Sequence, residues 1–246
     1  MGNIKTGGVV NNEEWVAELK RQVEAAEQEV TTAVVLHETW KPTVHDSELL
    51  ARMGESFATN TFGIVRFALR REVLMALLRV WDGEKKAVSV MRIVAELRHP
   101  DAVEKLISER TDNQGFFGEH LRHYLPERIE CAGELVDKYA KGGECEAVLK
   151  KLVRLRNVSL AHRQREPAKA TGGDATDDEI EAFYQDTCRI IEHLMSAVRA
   201  TSMDMSDTAG VYAHHARYFW TAVRGERTTG HPDYREPVRA EDLDLP

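Results

Sequence analysis

NTFGIVRFALRREVLMALLRVW, residues Asn60 to Trp81, places its apolar side chains at helical intervals. Phe62, Val65, Leu69, Val73, Ala76, Leu77 and Val80 form one wide stripe, while Arg66, Arg70 and Arg71 lie largely off it. Asp82-Gly83 ends the helix. A stripe that wide needs cover from other elements, and the flanking sequence offers helices for the purpose.

Upstream, Asn11-Asn12 followed by Glu13-Glu14 reads as a helix start with acids in the first turn. Trp15, Leu19, Val23, Ala26 and Val30 carry that helix to Trp40, where Lys41-Pro42 stops it. A shorter helix is expected from Ser47 to near Phe57. Downstream, Ala87 to Leu97 reads as a helix broken by His99-Pro100, and Asp101 caps a short one to about Arg110. Phe117 to Lys141 is helical with a bend expected at Pro126, and Gly142-Gly143 links it to a helix from Glu144 to about Arg165. Thr176-Asp177-Asp178-Glu179 is a capping box for a helix reaching Ala200, and Asp207 to Val223 gives the last helix. Only Thr31 to Val35 has strand-like β-branching, and it continues a helical pattern. No internal repeat of fixed period is visible. The expectation is an all-α, up-down helical bundle over residues 11–224, with residues 1–10 a flexible N-terminus and 225–246 a polar tail.

Across 246 residues the chain is 42% hydrophobic and 30% charged, as soluble globular proteins are. Apolar runs such as Val73 to Leu78 fall far short of the roughly 20 residues of a membrane span. No secretory signal is legible after Met1-Gly2-Asn3, and Met-Gly lacks the support an acyl anchor needs. Cys131, Cys145 and Cys188 are odd in number with no CxxC, which suits free thiols in a reducing cytoplasm. A net charge of −8 argues against coating nucleic acid by charge alone, so a nucleic-acid site would have to be concentrated locally.

One segment has that concentration. Lys150, Lys151, Arg154, Arg156, Arg163 and Arg165 occupy residues 150–165 with no acid among them. Asn157 and Ser159 are poor choices for a helix interior, which sets the run Arg156-Asn157-Val158-Ser159-Leu160-Ala161-His162 apart from a merely solvated face. Arg156 and His162, six residues apart, would stand about 120° apart around a straight helix and about 9 Å along it. Bringing them to one phosphate calls for a bend, a long reach by Arg, or a second copy of the chain.

This run resembles the Arg-spacer-His motif of HEPN domains, with Asn157 at the polar position after the Arg. Leu74 to Asp82, followed by Val88-Ser89-Val90, resembles the L-x-R-L-x-D stretch of AbiU-like HEPN proteins of abortive infection, with Val80 in place of the second Leu. The helix order also matches over about residues 10 to 200. The resemblance implies a HEPN-type bundle with additional N- and C-terminal helices, and a metal-independent endoribonuclease of a toxin or antiviral-defence kind. It implies His162 as general acid or base, Arg156 on the phosphate, Asn157 as an orienting group, and Arg154, Arg163, Arg165, Lys150 and Lys151 as RNA-binding cations. No cofactor or metal is implied. The partners implied are RNA, a second copy of the chain and an antitoxin or defence-system protein, in the cytoplasm and away from membrane. Gln164 stands where a related HEPN group carries a modified Tyr, so control by that modification is not expected. The alternative is a non-catalytic helical module that binds RNA or a protein partner through the same basic face.

Other constellations are weaker. His120, His123 and Glu127 share a helix face but lack an HExxH grammar, and Pro126 disturbs their geometry. His214-His215 beside Tyr212, Tyr218, Phe219 and Trp220 could stack on bases, although an aromatic stripe closing the bundle is the better expectation. No GxxxxGK[ST], GxGxxG or GxSxG occurs, and the acids are scattered. The acid–Leu alternation at Glu241 to Leu245 reads as a solvated terminus rather than a docking peptide.

Overall fold

A computed structural model describes residues 12–111, 116–157 and 175–236. Regular structure among them is helical: α1 Asn12–Trp40, α2 Pro42–His45, α3 Ser47–Met53, α4 Ala58–Val80, α5 Val90–Leu97, α6 Ala102–Arg110, α7 Phe116–Tyr139, α8 Glu146–Leu155, α9 Asp177–Arg199 and α10 Met205–Ala222. Trp81 and Ser89 form an isolated antiparallel bridge. The all-α expectation holds. No helix among the described residues is long and apolar enough to cross a membrane.

Local chemistry sets the boundaries. Pro42 opens α2 at a position where its missing N–H costs nothing. Asp46 caps α3 by accepting from the Leu49 N–H at 2.9 Å. That helix stops at Met53, short of the expected Phe57, because Gly54 turns the chain with φ +49°. α5 starts at Val90 rather than Ala87 because Ser89 is extended and paired with Trp81. Arg92 holds the preceding loop by donating to the carbonyls of Glu84 and Ala87. Helix α7 runs through Pro126 without interruption. Both bonds of the capping box on α9 are present: Glu179 N–H donates to Thr176 Oγ1 at 3.1 Å, and Thr176 N–H to Glu179 Oε2 at 2.9 Å.

Two compact units emerge within the span expected as one domain. One comprises Met1–Val30 and Ala76–Met205, the other Thr31–Met75 and Ser206–Pro246. In the first, α7 and α9 pack along each other, with α5, α6 and α8 against α7. Its centre is an aromatic triad: Trp81, just past α4, lies 5.2 Å from Tyr139 and 5.3 Å from Phe183, and those two rings are 5.0 Å apart. Each polar edge is satisfied. Trp81 Nε1–H donates to Thr187 Oγ1 at 3.0 Å, and the Thr187 hydroxyl donates to the Phe183 carbonyl at 2.7 Å. The Tyr139 hydroxyl donates to Asp186 Oδ2 at 3.1 Å, beside Lys138 Nζ at 3.3 Å. Burial and the Asp186 charge drive the Tyr139 pKa far up, so this phenol stays neutral.

The second unit is centred on Leu49, Met53, Phe62, Ala216 and Trp220. Trp220 Nε1–H donates to the Thr39 carbonyl at 2.8 Å. Residues 225–236 of the polar tail fold back on α3, where the Gly225 N–H and the Thr228 hydroxyl both donate to the Arg52 carbonyl. The expected aromatic stripe closes the core only through Trp220 and the half-buried Val223. Phe219 and Tyr218 are 61% and 67% exposed, because their positions on α10 point away from α3 and Phe62.

Candidate functional site

Helix α8 begins after a tight turn in which Gly142 adopts φ +89° and its N–H donates to Glu146 Oε2 at 3.0 Å. Only Leu152 of α8 is fully buried. Regular α geometry runs to Leu155, Arg156 and Asn157 follow in a π-type turn, and residues 158–165 of the expected helix lie outside the described residues. The Arg156 N–H is shared between the carbonyls of Leu152 and Val153. Departures of this kind inside helices frequently mark functional positions.

The Arg156 side chain is held at two points. Its Nε–H donates to Asn157 Oδ1 at 3.1 Å, and Nη1 donates to Asp82 Oδ2 at 3.0 Å. The two ionic side chains are largely covered, with 21% and 26% exposure for Arg156 and Asp82. A guanidinium has five N–H donors, so three of them, including both on Nη2, have no partner among the described residues. Asp82 is itself fixed, because Oδ1 accepts from the Glu84 N–H at 3.0 Å and the preceding residue is the buried Trp81.

The other cations divide. Lys150 pairs with Glu146 at 2.6 Å and Lys151 with Glu179 at 2.7 Å. Both lysines are thus opposed by acids that lie outside the 150–165 window. Lys150, Arg154 and Asn157 rim an open groove of about 510 Å³ floored by Trp81, Met91, Leu149 and Val153. His162, Arg163 and Arg165 lie outside the described residues, as does Gln164.

In the sequence Asp82 is a helix stop and the last residue of a family-like stretch, with no partner indicated. Its pairing with Arg156 spans 74 residues, and nothing local announces it.

The rival constellations gain no support. His120 stacks on Tyr124, and no three His, Cys, Asp or Glu side chains among the described residues are grouped to hold a metal ion. Burial, then the charge of Glu144, raises the Cys145 thiol pKa, the opposite of what a nucleophile needs. His214 contacts Tyr218 and Arg217 on the surface of α10.

His193 on α9 titrates below the ordinary imidazole value because burial disfavours its charged form. The Arg128 charge acts in the same direction, Glu127 opposes it, and Arg189 adds a smaller push down. Its folded-state pKa is depressed, so its contribution to stability is complete above about pH 6.5 and is lost as pH falls through the lowered value. Urea midpoints measured from pH 7 to pH 5 should decline in the wild type and decline less in His193→Gln. Parallel curves for the two proteins would refute the assignment.

A family model described as AbiU2, a HEPN family, matches residues 17–219. No curated protein and no solved structure matches the chain.

Proposed function

The chain belongs to the AbiU2 family of HEPN proteins, and from that premise we propose that it is a metal-independent endoribonuclease of a toxin or antiphage-defence kind, acting as a homodimer. The observation that carries this reading is the state of Arg156. It is held at Nε and Nη1 directly after α8, and the rest of its donor fork is uncommitted among the described residues.

In the proposed reaction a ribose 2′-oxygen attacks the adjacent phosphorus, its proton passing to a base. The bond from phosphorus to the 5′-oxygen breaks, that oxygen takes up a proton, and a 2′,3′-cyclic phosphate remains. His162 serves as the base or the acid, since imidazole titrates near neutral pH. Arg156 offsets the charge that grows on the phosphate oxygens, a task suited to a planar fork of donors. Asn157 orients Arg156 through its Oδ1. Arg154, Arg163 and Arg165 attract the RNA backbone, with Lys150 and Lys151 exchanging their Glu partners for phosphates. The groove between Lys150, Arg154 and Asn157 gives a strand an apolar floor beside the reacting phosphate. An antitoxin or defence-system partner would restrain the activity.

Incubating the purified protein with mixed RNA in EDTA tests this. Products ending in cyclic phosphate are expected. RNA retained without cleavage would replace the enzyme with a binding module, and cleavage only with added divalent metal would remove the mechanism.

A further inference from the structure

We infer that Asp82 is a positioning residue for Arg156, fixing the guanidinium so that its remaining N–H groups face the phosphate; this rests on the ribonuclease reading above. The Asp82 carboxylate is committed on both oxygens, one to the Glu84 N–H and one to Arg156 Nη1, each at 3.0 Å. Its backbone is tied to the core by the neighbouring Trp81, whose indole is 3% exposed and bonded to Thr187. The carboxylate is thus a fixed post and the arginine is the flexible member. An Arg side chain has several rotatable bonds, and holding it in one rotamer before substrate arrives removes an ordering cost from binding and reaction.

An ordinary surface ion pair would do little, since exposed pairs hold no fixed geometry. This pair differs in three respects. Both side chains are mostly covered, the arginine is gripped at a second point by Asn157, and the acid follows the buried Trp81 just past α4 rather than lying on the arginine's own helix. The acid also touches only Nη1, so it aligns the fork without occupying it.

The test uses Asp82→Asn, which keeps an oxygen for the Glu84 N–H and therefore the turn, but loses the charge that holds Arg156. Expected is a fall in kcat of about 10- to 100-fold with KM little changed, as is common when groups orienting a reactive residue are removed. Asp82→Glu should recover part of the rate. In an Arg156→Ala background, Asp82→Asn should cost nothing further, a result that a purely structural role would not give. Wild-type kcat in Asp82→Asn, or losses that multiply in the double variant, would overturn the inference.

NMR of the Arg156 guanidinium, identified by its loss in Arg156→Lys, gives a readout without catalysis. A resolved, slowly exchanging signal in the wild type should vanish in Asp82→Asn, and its persistence there would overturn the inference. A wild type that cuts no RNA would sink the ribonuclease reading, while the NMR comparison would still decide whether Asp82 holds the arginine.

Discussion

Trp81→Ala is expected to cost about 3–5 kcal/mol of stability, the usual range for deleting a buried large aromatic side chain. The indole is 3% exposed and touches the rings of both Tyr139 and Phe183, so the cavity would be lined by two groups that α7 and α9 hold in place. Thr187 would lose its donor as well, leaving a buried hydroxyl oxygen with one bond fewer. Against a typical total of about 5–15 kcal/mol, this loss is about a fifth of the stability or more. Trp81→Phe keeps ring contacts and removes the N–H, so its cost should fall to about 1–2 kcal/mol. Urea unfolding of the three proteins checks the order. Equal midpoints for Trp81→Ala and the wild type would show that the triad does not organise the core.

Arg156→Ala is expected to do the reverse, with a large effect on cleavage and a small one on stability. Removing a donor group that meets developing charge costs about 10²–10³ in kcat for a single neutral donor, and a charged fork should reach at least the upper figure. The ion pair with Asp82, by contrast, contributes about 0–1 kcal/mol to folding, because neither side chain is fully buried and water can take over at Asp82 once the arginine is gone. Arg156→Lys should not restore activity, since an ammonium can reach either Asp82 or the phosphate but has no planar fork for both. Single-turnover cleavage rates alongside thermal melts separate the two effects. A variant that melts as the wild type does and cleaves as fast would exclude Arg156 from the chemistry.

The helical architecture was legible because it rests on short-range signals. The 60–81 stripe, the Thr176–Glu179 box and the Lys41-Pro42 stop each act within a few residues, and the helices begin or end close to where these place them. Boundaries moved where a partner outside the helix or a turn of the backbone intervened: Ser89 belongs to a bridge with Trp81, and a positive φ at Gly54 shortens α3. The division into two units was not readable, since α1 and α4 each contribute to both without a break in periodicity.

Site legibility follows the same logic. Arg156 and Asn157 stand out from their types and spacing. Counting charge within residues 150–165 overlooked Glu146, one turn before Lys150, and Glu179, which reaches Lys151 from another helix. Asp82 was visible as part of a family-like stretch, yet its pairing with Arg156 joins residues 74 positions apart in the chain.

Variants of the two proposed catalytic groups decide whether this chain cuts RNA through Arg156 and His162. Wild type, Arg156→Ala and His162→Ala are compared for cleavage of end-labelled mixed-sequence RNA in EDTA, with product ends identified and each protein's melting recorded. Expected are cyclic phosphate ends from the wild type and a loss of at least about a thousandfold in each variant, with melting unchanged. Undiminished cleavage by both variants would contradict this.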